Sequence, residues 1–101
     1  MYGMVGKFTA TAGRRAEFAG ILSRAAGVVG QMPGCRLYAV NEDLADENGI
    51  WVYEIWDDKA AHDASLADER VRALIAEAMP LMGGPPTSAE LKVVGGHGLD
   101  G

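Results

Sequence analysis

The chain has 101 residues, 49% of them apolar and 23% charged, which suits one domain with a modest core. Its net charge is −5, its nine basic residues are scattered, and no apolar run approaches the roughly 20 residues of a membrane span. This excludes the basic stripe that displaces counterions from nucleic acid, and it argues against an anionic membrane surface.

Residues 2–10 hold Tyr2, Met4, Val5, Phe8 and Thr9 and read as a strand, which Thr11-Ala12-Gly13 breaks. Residues 1–7 have neither the basic segment nor the long apolar stretch of a secretory signal, so the cytoplasm is the expected compartment. From Arg14 the apolar residues Phe18, Ile21, Leu22, Ala25 and Val29 fall on one helical stripe, with Gly30 as a stop and Pro33-Gly34 as a turn. Residues 35–41 alternate, Cys35, Leu37 and Ala39 against Arg36, Tyr38 and Val40, as a strand does. Cys35 reads as a small buried hydrophobe. As the only cysteine it closes no internal disulfide, which fits a reducing compartment.

An acidic loop over 42–47 ends at Asn48-Gly49, and residues 50–56 form the most apolar strand, paired with the previous one as an antiparallel hairpin. Asp57 or Asp58 caps a short helix to about Leu66. Ser65-Leu66-Ala67-Asp68 reads as a second helix start, and Val71, Leu74, Ile75, Ala78 and Met79 as that helix's buried stripe. Gly83-Gly84-Pro85-Pro86 ends it, residues 88–94 alternate as a last strand, and the glycine-rich residues 95–101 form a flexible or partner-crossing tail.

One domain over 1–101 follows, in the α+β class: β-α-β-β-α-β with a split second helix, the ferredoxin-like arrangement of helices on one face of a four-stranded antiparallel sheet. Trp51, Tyr53 and Ile55 then lie on the face without helices. Monomers avoid such an apolar patch, and at roughly 25 cal/mol per Å2 its burial favours association by a few kcal/mol. A homodimer docked sheet to sheet is expected.

On the helix side, Glu54 and Trp56 share a strand face with Ile50 and Val52. Desolvation there raises a carboxyl pKa, and a partner such as Arg72 lowers it. Glu54 is a candidate proton acceptor, with an ion pair to a helix end as its structural alternative. Trp56 either walls an aromatic ligand or packs the core. Two histidines and one cysteine without close spacing make a poor metal set.

The ordered set Thr11-Ala12-Gly13, Pro33-Gly34-Cys35 leading to Tyr38, Tyr53-Glu54-Ile55-Trp56, Ala60-Ala61, residues 65–74 and Val93-Val94-Gly95-Gly96-His97-Gly98-Leu99 resembles the antibiotic biosynthesis monooxygenase family of small dimeric α+β barrels, quinol monooxygenases among them. The resemblance implies oxygenation of a small aromatic, quinol or polyketide-like substrate, with no cofactor and O2 as co-substrate. On this reading the candidate catalytic residues of this chain are Glu54, His62 and Trp56, with Ser65, Arg72, Met79, Tyr38 and Tyr53 against the substrate; interface packing is the alternative for Tyr38 and Tyr53, and core filling for Met79. The chain departs from the family pattern where Ser65 stands at a position often occupied by histidine. His62 lies one turn earlier, an offset that favours a solvent-facing histidine over a general base. Gly6 in place of the asparagine of haem-degrading relatives, and the lack of histidine from Arg72 to Glu77, count against haem chemistry. Two other functions share the scaffold: a non-redox isomerase of small hydroxycarbonyl compounds, and a non-catalytic ligand-binding or stress-related dimer.

Overall fold

The computed structural model describes residues 1–99. Strand β1 (Tyr2–Thr9) leads into helix α1 (Arg15–Val29) and the hairpin of β2 (Cys35–Glu42) and β3 (Gly49–Trp56). Helices α2 (Lys59–Ala67) and α3 (Glu69–Ala78), a 3-10 turn (Met79–Leu81) and strand β4 (Thr87–Lys92) complete it. The strands form one antiparallel sheet in the order β2-β3-β1-β4. With the helices on one face, this is the ferredoxin-like arrangement that the sequence implies.

Helix α1 buries the stripe that its spacing dictates: Phe18, Ile21, Leu22, Ala25 and Val29. Phe18, Ile21 and Leu22 meet Ile50 and Val52 of β3, together with Ala78 and Leu81. Val29, Trp56 and Val71 form a second cluster at the other end of the sheet. Fully burying such a side chain contributes about 1.5–3 kcal/mol, so these two clusters clamp helices to sheet. The turn before β2 requires glycine. Gly34 has φ +85°, and a Cβ there would sit 2.8 Å from the Ala61 Cβ. That close approach lets the first turn of α2 settle against the sheet.

Three expectations change. Ser65 does not start the second helix. Asp68, in extended conformation, breaks the two helices apart and caps α3 by accepting from the N–H groups of Arg70 and Val71. Ser65 stays inside α2, buried. Ile75 and Met79 leave the core: at the far end of α3 it is Ala78 that packs inward, while these two line a cavity as exposed groups, Met79 at 59% exposed. Ile55 is only 3% exposed although it lies on the face without helices. The chain after β4 explains this. Val93 N–H bonds the Met1 carbonyl at 3.0 Å, and Arg36 Nη1 donates to the Leu99 carbonyl at 2.8 Å. Since β4 and β2 are opposite edges, the segment between these bonds crosses the outer face at the row of Gly3, Ile55 and Leu37. Asp100 and Gly101 of the expected tail lie outside the described residues. Trp51, Tyr53 and Leu91 remain partly exposed on that face.

Candidate functional site

Between the helix side of the sheet and α1, α2 and α3 lies a cavity of about 550 Å3. Its walls are mostly apolar: Phe18, Leu22 and Val29 from α1, Val71 and Leu74 from α3. Leu66, Ile75 and Met79 contribute to its lining as partly exposed apolar groups. The floor is a cross-strand row. Register places Glu54 opposite Met4 on one side and Tyr38 on the other. These three side chains line the same space.

Strand alternation puts Glu54 on the helix side, between Val52 and Trp56. Its side chain is only 13% exposed. Burial raises the carboxyl pKa above its ordinary value, and the Trp56 indole and His62 hold it partly down. Trp56 Nε1 donates to Glu54 Oε1 at 3.1 Å. His62 Nε2 stands 3.9 Å from the same oxygen, too far for a direct hydrogen bond. Both groups line the cavity, so a ligand hydroxyl approaching from that side can meet the two together.

His62 is reached through the cap of α2. Asp58 Oδ1 accepts from the Ala61 N–H at 2.8 Å and fixes the first turn. The histidine that follows points inward, 4% exposed, against the Tyr2 ring at 5.2 Å and edge-on to Trp56 at 6.1 Å. Its Nδ1 lies 3.0 Å from Asp63 Oδ1. One turn on, Ser65 Oγ donates to the His62 carbonyl at 2.6 Å. The Tyr38 hydroxyl is pushed far up in pKa by burial, and further by Glu54. It is a hydrogen-bond donor at any ordinary pH.

The structure brings together Glu54, His62, Ser65, Tyr38 and Met79 around one cavity. It does not bring in three others. Trp56 is fully buried behind Glu54 and contacts it instead of walling the cavity. Tyr53 projects from the opposite face, as the strand period demands of Glu54's neighbour. Arg72 is exposed: with Val71 turned inward, a rotation of about 100° per residue carries Arg72 toward solvent and away from Glu54. His62, whose offset in sequence favours a solvent-facing position over a general base, is buried and lines the cavity. Met4 is not legible as a floor residue before the register is known. Asp63 carried a signal in its adjacency to His62, though adjacency alone does not fix a contact.

Among the described residues no three His, Cys, Asp or Glu side chains converge to hold a metal ion, and no helix is long and apolar enough to cross a membrane. A second depression of about 500 Å3, beside Arg14, Arg24 and Pro80, is open, and its arginines are already paired with Glu17 and Glu77.

The sequence model of the antibiotic biosynthesis monooxygenase family matches residues 1–77. A candidate antibiotic biosynthesis monooxygenase from Chloroflexus aurantiacus is similar in structure at 40% identity, with a TM-score of 0.88 over 97% of both chains. One from Deinococcus radiodurans matches at 26% identity, TM-score 0.84, over 95% of both chains. A single-residue variant of SnoaB, a cofactor-independent oxygenase from Streptomyces nogalater, shares the fold at 19% identity, TM-score 0.82, over 95% of both chains. No curated protein sequence matches the chain.

Proposed function

Since the chain belongs to the antibiotic biosynthesis monooxygenase family, we propose that it is a cofactor-independent monooxygenase that oxidises a small aromatic, quinol or polyketide-like substrate with O2. The observation that carries this reading is the Glu54–His62 pair, 3.9 Å apart, in a mostly apolar cavity. Apolar walls suit a planar aromatic ring, and Tyr38 supplies a hydrogen bond to a ring oxygen. The pair accepts a proton from the bound substrate. A desolvated carboxyl and an imidazole are the side chains best matched to that task near neutral pH. The substrate anion gives one electron to O2, and the two radicals join in a C–O bond. The peroxide so formed takes back the proton, its O–O bond breaks, and the remaining C–H proton leaves with the hydroxide as water, so that CH2 and O2 become C=O and H2O without an external reductant. Dryness in the cavity protects the anion and radicals from bulk water.

The same reading includes a homodimer. Trp51, Tyr53 and Leu91 leave an apolar strip on the outer face of the sheet. A second copy would cover it without touching the cavity on the other side. With Cys35 unpaired, a reducing cytoplasm suits the protein.

Oxygen uptake with metal-stripped protein and a panel of hydroquinones and anthrones tests the chemistry. Glu54→Gln and His62→Ala are each expected to lower kcat by roughly 100-fold, the lower end of the range for general acid–base groups, with the unfolding transition retained. Full turnover in both variants would remove the site assignment. A product formed equally well without O2 would point to an isomerase, and tight binding without product to a ligand-binding protein.

A further inference from the structure

We propose that Asp63 is the positioning residue of this site: its carboxylate fixes the His62 imidazole as the Nδ1–H tautomer and leaves Nε2 as a bare proton acceptor facing the cavity. This rests on the Glu54–His62 reading and assigns the roles within it. The two ring nitrogens have different surroundings. Nδ1 lies 3.0 Å from Asp63 Oδ1, at a residue 53% exposed, whereas Nε2 faces Glu54 across 3.9 Å in the interior. An ionised carboxylate can only accept a hydrogen bond. Asp63 stays ionised at neutral pH because His62 and then Lys59 hold its pKa below the ordinary range. The proton in the 3.0 Å contact therefore belongs to Nδ1.

Asp63 is itself held. Lys59 Nζ lies 3.2 Å from its Oδ2 and 3.9 Å from Glu90 Oε2. Glu90 accepts from the Tyr2 hydroxyl at 3.1 Å, and the Tyr2 ring packs on the imidazole. The charged and titratable groups around His62 are thus Glu54 from β3, Tyr2 from β1, Glu90 from β4, and Lys59 and Asp63 from its own helix. When Nε2 takes the substrate proton, the carboxylate of Asp63 faces the new positive charge. When the proton returns to form water, the same tautomer is restored. A carboxylate that orients a catalytic imidazole through Nδ1 works in this way elsewhere, where its loss costs about 10⁴-fold when buried. Solvent screening at an exposed aspartate makes the expected effect here smaller.

The tautomer is read directly by 15N NMR of the histidine ring at alkaline pH, where a free imidazole is neutral. The wild type is expected to show protonated Nδ1 and bare Nε2. In Asp63→Asn the side-chain amide donates to Nδ1 and reverses the pattern, and Asp63→Glu restores it. In the oxygen-uptake assay Asp63→Asn is expected to lower kcat about tenfold with KM unchanged, again with recovery in Asp63→Glu. Protonated Nε2 in the wild type, or a tautomer indifferent to Asp63→Asn, would overturn the proposal whether or not any substrate turns over. An Nδ1–H tautomer that responds to Asp63, alongside turnover unaffected by Glu54→Gln and His62→Ala, would instead sink the assignment of the site.

Discussion

The two faces of β3 carry the same kind of residue to opposite ends. Ile50, Val52, Glu54 and Trp56 point to the helices, and all but Glu54 are fully buried. Trp51, Tyr53 and Ile55 point away, and only Ile55 is buried, under the row that the final segment crosses. The face with helices is nevertheless the one that holds a cavity, while the face without them is covered only at the row of Ile55. Apolar composition alone does not tell a core from an interface. What separates them is the layer opposite each face. The helices cover one side and leave a cavity beneath them, whereas on the proposed reading a second copy covers the other side.

The largest expected contrast is in stability. Trp56→Ala removes a fully buried indole and the donor to Glu54, and is expected to cost about 3–5 kcal/mol in urea unfolding. On the other face, Tyr53→Lys should leave the subunit folded, within about 1 kcal/mol, and convert the proposed dimer to monomer in sedimentation. A dimer that survives this charge would mean that the two copies join elsewhere.

The smallest effect sharpens the comparison within the buried face. Burial raises the Glu54 carboxyl above its ordinary 4.5, so the folded chain binds that proton more tightly than the unfolded chain does. Folded stability then falls as pH rises from the ordinary value through the raised one, and Glu54→Gln removes that loss. The variant is expected to be the more stable protein at neutral pH, with its advantage gone below the ordinary carboxyl range. Urea titrations at several pH values measure this. Equal stability throughout would mean that Trp56 and His62 fully compensate the buried charge.

Much of the architecture was legible in residue spacing. The stripe of α1, the β2–β3 hairpin and the helix-facing set Ile50, Val52, Glu54 and Trp56 all follow from periods of 3.6 and 2. The same periods separate Tyr53 from Glu54, and Arg72 from Val71, so those two site expectations yielded to arithmetic that the chain already contained. Cap geometry was less legible. Ser65 and Asp68 both suit a helix start, and only the direction of α3 relative to α2 decided for Asp68.

The sequence by itself determined which residues share each strand and α1, and which side of those elements they occupy, because local sterics and periodicity are properties of neighbours along the chain. Only the tertiary structure decided that His62 turns inward, that Met4, Glu54 and Tyr38 meet in one row, that Trp56 stands behind the carboxylate, and that Ile55 is covered. Each of these depends on strand register, on the angle at the Asp68 break, or on a segment arriving from the far edge of the sheet. Those quantities are set by how whole surfaces pack, and no stretch of neighbouring residues encodes them.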